Sequence, residues 1–291
     1  MSEGTAETTV ELSSEPSLAR LYAQAVLAPL MPGGDAELPG RRVVLRGAAV
    51  DPERVAGYAR VCGFGMRSTV PPTYPHVLAF PLHLCLMTDR SFPFRVLGMV
   101  HIANRIDVLA PITVGASLDL SVWAEDLRPH RRGRQFDVVA EALLDGEPAW
   151  RARSTYLSRD GNGDGASAPG TEAEDTDVGD IEVSAEWRIP GDIGRRYAAV
   201  SGDRNPIHLH ALSARLFGFP TAIAHGMWTK ARCLAAFEGR TPGRFTIAVR
   251  FKSPLRIPGR ARLLSGARTD GWRFRVESPD GEHTHLVGSI S

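Results

Sequence analysis

The chain has 291 residues, 43% hydrophobic and 23% charged, and its 34 basic and 33 acidic side chains leave a formal net charge of +1. That length favours two domains or one large one, and the balanced charge provides no global field for nucleic acid. Three scattered cysteines, Cys62, Cys85 and Cys233, make neither a disulfide framework nor a Cys-x-x-Cys pair, which fits a reducing cytoplasm.

Residues 1–16 are polar, with Glu3, Glu7, Glu11 and Glu15, and are expected to form a flexible tail rather than a signal peptide. The stretch from Leu18 to Met31 is interrupted by Arg20, Gln24 and Pro29. It falls short of the ~20 apolar residues of a membrane span and reads as a short docking helix. From Asp51 to Cys62 the sequence predicts a helix, with Asp51 as N-cap, Pro52 in the first turn and Gly63 as the stop. A second apolar helix is expected from about Pro81 to Thr88. Next, Leu118, Leu120, Val122 and Ala124 alternate with Asp119, Ser121, Trp123 and Glu125, the period of a strand. Further strands are expected near Val96–Val108, Gln135–Leu144 and Ala149–Ser158. The run Arg128, His130, Arg131, Arg132 and Arg134 around Gly133 reads as a charged hairpin loop, with a carrier-protein docking patch as the alternative.

Residues 160–182 are rich in Gly, Ala and acid, without Lys or Arg. This composition marks a linker between a first half, 17–159, and a second, 183–291. The second half repeats the order of the first, with helices expected near Asp192–Ser201, Ala211–Gly218 and Ala224–Phe237. In the strands that follow, Phe245, Ile247, Val249 and Phe251 alternate with Arg244, Thr246, Arg250 and Lys252, and Trp272, Phe274 and Val276 alternate with Arg273 and Arg275. Helices followed by about four strands in each half argue for an α+β fold with antiparallel sheets.

The chemistry concentrates between Tyr197 and Met227, YAAVSGDRNPIHLHALSARLFGFPTAIAHGM. Asp203, Asn205 and His208 fall close together around Pro206, and an Asn-Pro turn can aim the carboxylate and the imidazole at one point. Such a pair suits hydration of a conjugated thioester, where one group activates water and one moves a proton at the α-carbon. The thioester oxygen gains negative charge in that reaction and needs a donor. Gly226, at the start of the expected long helix, lets backbone come close to a ligand and is the oxyanion-hole candidate.

The strings SGDRNPIH and AIAHGM resemble the signature of the MaoC-like (R)-specific enoyl-thioester hydratases, most strongly over Tyr197–Pro258. The resemblance implies a double hotdog, each half a sheet wrapped around a central helix. It implies catalytic roles for Asp203 and His208, support from Asn205, and the Gly226 amide on the thioester oxygen. Two departures stand out. His210 occupies a position where many members carry an acid, and the first half has no D-x-N-P-x-H at Val61–Tyr74, which implies a non-catalytic first hotdog that shapes the acyl pocket.

Ser201 and His225 are candidate substrate contacts, as are Arg250 and Lys252, which could hold coenzyme A phosphates or an acidic carrier protein. A solvated basic sheet face is the bland alternative for the last two. His208, His210 and His225 invite a zinc reading, but alternate positions 208 and 210 on a strand would face apart. Ser201 lacks the G-x-S-x-G elbow of a hydrolytic triad. The sequence therefore predicts a cytoplasmic hydratase or dehydratase of acyl-CoA or acyl-carrier thioesters, without metal or redox cofactor, and pairing of two chains is compatible with it. The rival readings are a hotdog thioesterase and a non-catalytic acyl- or sterol-CoA binding module.

Overall fold

The computed structural model describes residues 8–27, 37–96, 98–158 and 182–291. The expected linker lies outside the described residues except for its last position. Along the chain the elements begin with β1 (Thr8–Leu12), α1 (Leu18–Leu27), β2 (Arg41–Ala49), α2 (Pro52–Cys62) and α3 (Tyr74–Met87). They continue with β3 (Val100–Val108), β4 (Ser117–His130), β5 (Gly133–Leu144) and β6 (Glu147–Ser158). The second half holds β7 (Glu182–Ile189), α4 (Ile193–Ser201), α5 (Pro206–Leu209), α6 (Ala211–Arg215) and α7 (Gly226–Ala236). It ends with β8 (Phe245–Phe251), β9 (Gly259–Arg268), β10 (Gly271–Glu277) and β11 (Thr284–Ile290).

The strands form one sheet of 11, in the order β1-β2-β4-β5-β6-β3-β8-β11-β10-β9-β7. Outward from the middle, the first half runs β3, β6, β5, β4, β2 and the second β8, β11, β10, β9, β7. In both halves the strand that follows the last helix lies at the centre, and the strand that precedes the paired helices lies outermost, with β1 added beyond β2 in the first half. The two halves thus share one topology and meet at an antiparallel seam, where Ile106 pairs with Ile247 and Asn104 with Val249. This arrangement is the double hotdog.

Local chemistry explains several elements. Asp51 caps α2 by accepting from the Arg54 amide at 2.8 Å, Pro52 opens it, and Gly63 closes it at φ 84°. Leu118, Leu120 and Val122 on β4 are fully buried, as the alternation predicts.

Three expectations are corrected. Thr8–Leu12, expected within a flexible tail, form β1 and pair in parallel with β2, because Thr-Thr-Val-Glu-Leu suits an extended strand at a sheet edge. The first half's central helix starts at Tyr74 rather than near Pro81, which lies inside it. Almost every side chain of α3 is buried, and that packing outweighs the hydrogen bond that Pro81 removes. His208 lies on the short helix α5 and His210 in the extended link between α5 and α6, rather than both on one strand, with His208 buried and His210 exposed.

Candidate active site

Residues 202–225, between α4 and α7, carry the motif; the equivalent connection in the first half, 63–73, is much shorter. Gly202 ends α4 at φ 75°. Asn205 then caps α5, its side chain accepting from the Ile207 amide and its own amide donating to Asp203 Oδ1 at 3.1 Å. Ser201 donates to the Tyr197 carbonyl at 2.8 Å and accepts from the Asp203 amide at 3.2 Å. Both residues therefore hold Asp203 in place, and both also line the cavity described below.

His208 places Nδ1 2.8 Å from the Ile223 carbonyl. A carbonyl only accepts, so the proton sits on Nδ1 and Nε2 keeps its lone pair. His225 Nε2 lies 3.0 Å from the Asp203 carbonyl by the same logic, and its ring stacks on His208 with centroids 3.7 Å apart. Tyr22, reaching over from α1, approaches Asp203 Oδ1 at 3.4 Å and accepts from the Arg204 amide at 2.6 Å.

Burial raises the Asp203 carboxyl, but His225, His208, the Asn205 amide and the Tyr22 hydroxyl together hold it below the ordinary carboxylate range. Burial lowers His208 below the ordinary histidine value, against the opposing pull of Asp203 and the Ile223 carbonyl. Burial, reinforced by His208, takes His225 down to about 3. At neutral pH the site therefore holds a carboxylate beside two uncharged imidazoles.

The α7 helix begins beside them. His225 occupies its cap position with no side-chain capping bond, so the first amides, including that of Gly226, point along the axis unsatisfied by the helix itself. A Cβ on Gly226 would lie 2.9 Å from the Phe251 ring, so glycine permits this close approach.

All of these groups open onto one cavity of about 690 Å³. Its walls include Val77, Phe80, Leu84 and Met87 from α3, Arg250 from β8 and Lys252 just after it. The β4–β5 hairpin adds Arg128, Arg131 and Arg132, so two basic patches distant in sequence meet at one cavity. Tyr22, His76, His101 and Tyr156 also line it, and no sequence pattern singled them out.

Asp203, His208 and His225 each offer a donor atom within 4.8 Å of the others, which makes them the metal-like grouping among the described residues. Each imidazole commits one nitrogen to a backbone carbonyl, His208 Nδ1 to that of Ile223 and His225 Nε2 to that of Asp203. His210, the third histidine of the zinc reading, is exposed and outside the group.

Residues 178–271 match the family described as MaoC like domain. Over 271 residues the chain is 37% identical to 3-hydroxyacyl-thioester dehydratase X of Mycobacterium tuberculosis, covering 93% of this chain and 95% of that one. The chain belongs to the MaoC-like dehydratase family. The crystal structure of the same mycobacterial protein superimposes with a TM-score of 0.76 at 36% identity, over 86% of this chain and 99% of that one. A MaoC-like dehydratase from Phytophthora capsici shares the fold, with a TM-score of 0.72 at 17% identity over 89% of this chain and 97% of its own. The 3-hydroxybutyryl-CoA dehydratase of Methylorubrum extorquens is 35% identical over 88 residues, which is 29% of this chain and 55% of that protein.

Proposed function

We propose that this MaoC-like dehydratase interconverts trans-2-enoyl and (3R)-3-hydroxyacyl thioesters by adding and removing water, with neither a metal nor a redox cofactor. The observation that carries this reading is the span between Asp203 and His208, whose donor atoms lie within 4.8 Å of each other.

In the hydration direction the water oxygen bonds to C3 of the enoyl chain while one of its O–H bonds breaks toward the Asp203–His208 pair. The C2=C3 electron pair moves onto the thioester oxygen, where the Gly226 amide and the α7 dipole stabilise the charge. The electrons then return to C2, which takes the proton from the pair. Asp203 is ionised and His208 Nε2 unprotonated, so the water supplies both the hydroxyl group and the new hydrogen at C2.

Arg250 and Lys252, together with Arg131 and Arg132, suit the phosphates of coenzyme A or an acidic carrier protein. The choice between these two carriers is open to competition assays. No described helix is long and apolar enough to cross a membrane.

The test mixes the protein with trans-2-enoyl-CoA and follows the conjugated absorbance beside a thiol reagent. Loss of the band without free thiol is expected; release of free thiol would replace this reading with thioester hydrolysis. Asp203→Asn and His208→Ala should each lower kcat/KM by about two to four orders of magnitude, the scale of a lost acid or base. Near-normal turnover by either variant would remove that residue from the mechanism.

A further inference from the structure

The two oxygens of Asp203 are not equivalent. Oδ1 accepts from the Asn205 amide at 3.1 Å and lies 3.4 Å from the Tyr22 hydroxyl. Oδ2 makes no hydrogen bond among the described residues, with His225 Nε2 3.9 Å away, and the Asp203 side chain is 29% exposed in the lining of the cavity. One oxygen is held, and the other is left for a ligand.

The hold on Oδ1 has two sources of different kinds. The Asn205 amide belongs to the same turn and moves with it. The Tyr22 hydroxyl arrives from α1, outside the second half, and meets three consecutive residues of the turn. It accepts from the Arg204 amide at 2.6 Å, and its one proton is shared between the Gly202 carbonyl at 3.3 Å and Asp203 Oδ1 at 3.4 Å. An ionised carboxylate is the stronger acceptor of the two, so the proton favours Oδ1 while Asp203 carries its charge.

The helix α1 is fixed where this role requires it. Its Leu21 and Ala25 are buried. Leu18 leans on the turn itself, since a Cβ on Gly202 would lie 2.5 Å from Leu18 Cδ1. Upstream, Glu15 pairs with Arg54 at 3.2 Å, and β1 runs along β2. Residues 8–27 therefore form a strap, tied to the first half at one end and bearing on residues 202–204 at the other.

We propose that Tyr22 is a positioning residue for the reaction: through it α1 holds the Asp203 carboxylate by Oδ1 and leaves Oδ2 aimed at the substrate. The strap ahead of the first hotdog then belongs to the active site of the second. The proposal deepens the hydratase reading and rests on it. Tyr22 acts here on the aim of the carboxylate and not on affinity, so its loss is felt in kcat.

The experiment measures kcat and KM separately for hydration of trans-2-enoyl-CoA by the wild-type protein, Tyr22→Phe, Asp203→Asn and the double variant, with thermal melts alongside. Tyr22→Phe removes only the hydroxyl and should lower kcat by about five- to tenfold, the scale of one net hydrogen bond, with KM nearly unchanged. In Asp203→Asn no carboxylate is left to aim, so adding Tyr22→Phe should cost almost nothing further. A purely structural tyrosine would cost the same factor in both backgrounds, and that result would overturn the proposal, as would full kcat in Tyr22→Phe. Tyr22 also lines the cavity, so a loss confined to KM would mark it as a substrate contact and overturn the proposal as well. Failure of the wild-type protein to hydrate any enoyl thioester would instead sink the hydratase reading, and this proposal with it.

Discussion

At the scale of single residues, the charge states of Asp203 and His208 set a pH dependence with a definite sign. The proposed mechanism requires an ionised Asp203 and an uncharged His208, and burial and neighbours hold both groups below their ordinary values. The acid limb of kcat/KM should therefore fall below pH ~6.5, the ordinary histidine value. A limb centred above that value would show that His208 is not held uncharged by burial. Two glycines make equally local predictions. A Cβ on Gly194 would fall on the His208 carbonyl oxygen, so Gly194→Ala should displace α5 and lower kcat/KM by tenfold or more. Gly226→Ala presses on Phe251 and shifts the oxyanion amide, for an expected loss of about a hundredfold in kcat. Kinetics beside a thermal melt separate these losses from unfolding. The residues of the motif were legible in the sequence because their geometry is local: Asp203, Asn205 and His208 are joined by one cap and one turn. Tyr22 was not legible, since it reaches Asp203 across 181 positions and no spacing rule spans that distance.

At the scale of elements, legibility followed whether the deciding forces were local or tertiary. The helix α2 carries its own start and stop signals, and its bounds were readable from Asp51, Pro52 and Gly63. From the sequence α3 is expected only from about Pro81, because the force that holds its first turns, burial on all sides, cannot be read from the residues themselves. The same burial makes α3 and its neighbours sensitive to acid. Burial lowers His76 to about 4 and, with added repulsion from His76 and Lys230, lowers His101 to about 3. The unfolded chain therefore binds protons near pH 6 that the folded chain does not. Their stabilising contribution is whole above pH ~6.5 and is lost as the pH falls toward 4, at up to about 1.4 kcal/mol per pH unit for each histidine. Thermal melts should show Tm falling from pH 6.5 to 4.5, and the slope should be shallower in His76→Leu. A Tm independent of pH over that interval would contradict the buried, uncharged cluster.

At the scale of the whole molecule, one buried lysine ties the halves together. Lys230 of α7 is fully buried, and its Nζ reaches Asn104 Oδ1 at 2.5 Å, the Asn104 carbonyl at 3.2 Å and the Ile247 carbonyl at 3.1 Å. Asn104 belongs to β3 and Ile247 to β8, so the lysine Nζ bridges the two strands of the seam. Lys230→Met would strand three acceptors and should destabilise the fold by on the order of 3 kcal/mol, measurable by urea unfolding. An unchanged midpoint would show that the seam stands without it. Two halves were legible from their repeated order of elements, but the continuous sheet, the seam and its lysine depend on pairings between residues more than a hundred positions apart.

The shared topology of the halves has a consequence for how such a protein can change. In an assembly of two identical chains every substitution appears twice, so whatever builds an active centre on one side builds it on the other as well. Once both halves lie on one polypeptide, a substitution strikes only one of them. The long connection at 202–225 can keep its acid and imidazole while the short one at 63–73 keeps neither, and the first half is free to specialise in the shape of the acyl chain it admits. Variation in substrate among relatives built this way should therefore gather on the wall contributed by α3 and β3, leaving the loop that carries Asp203 and His208 largely untouched.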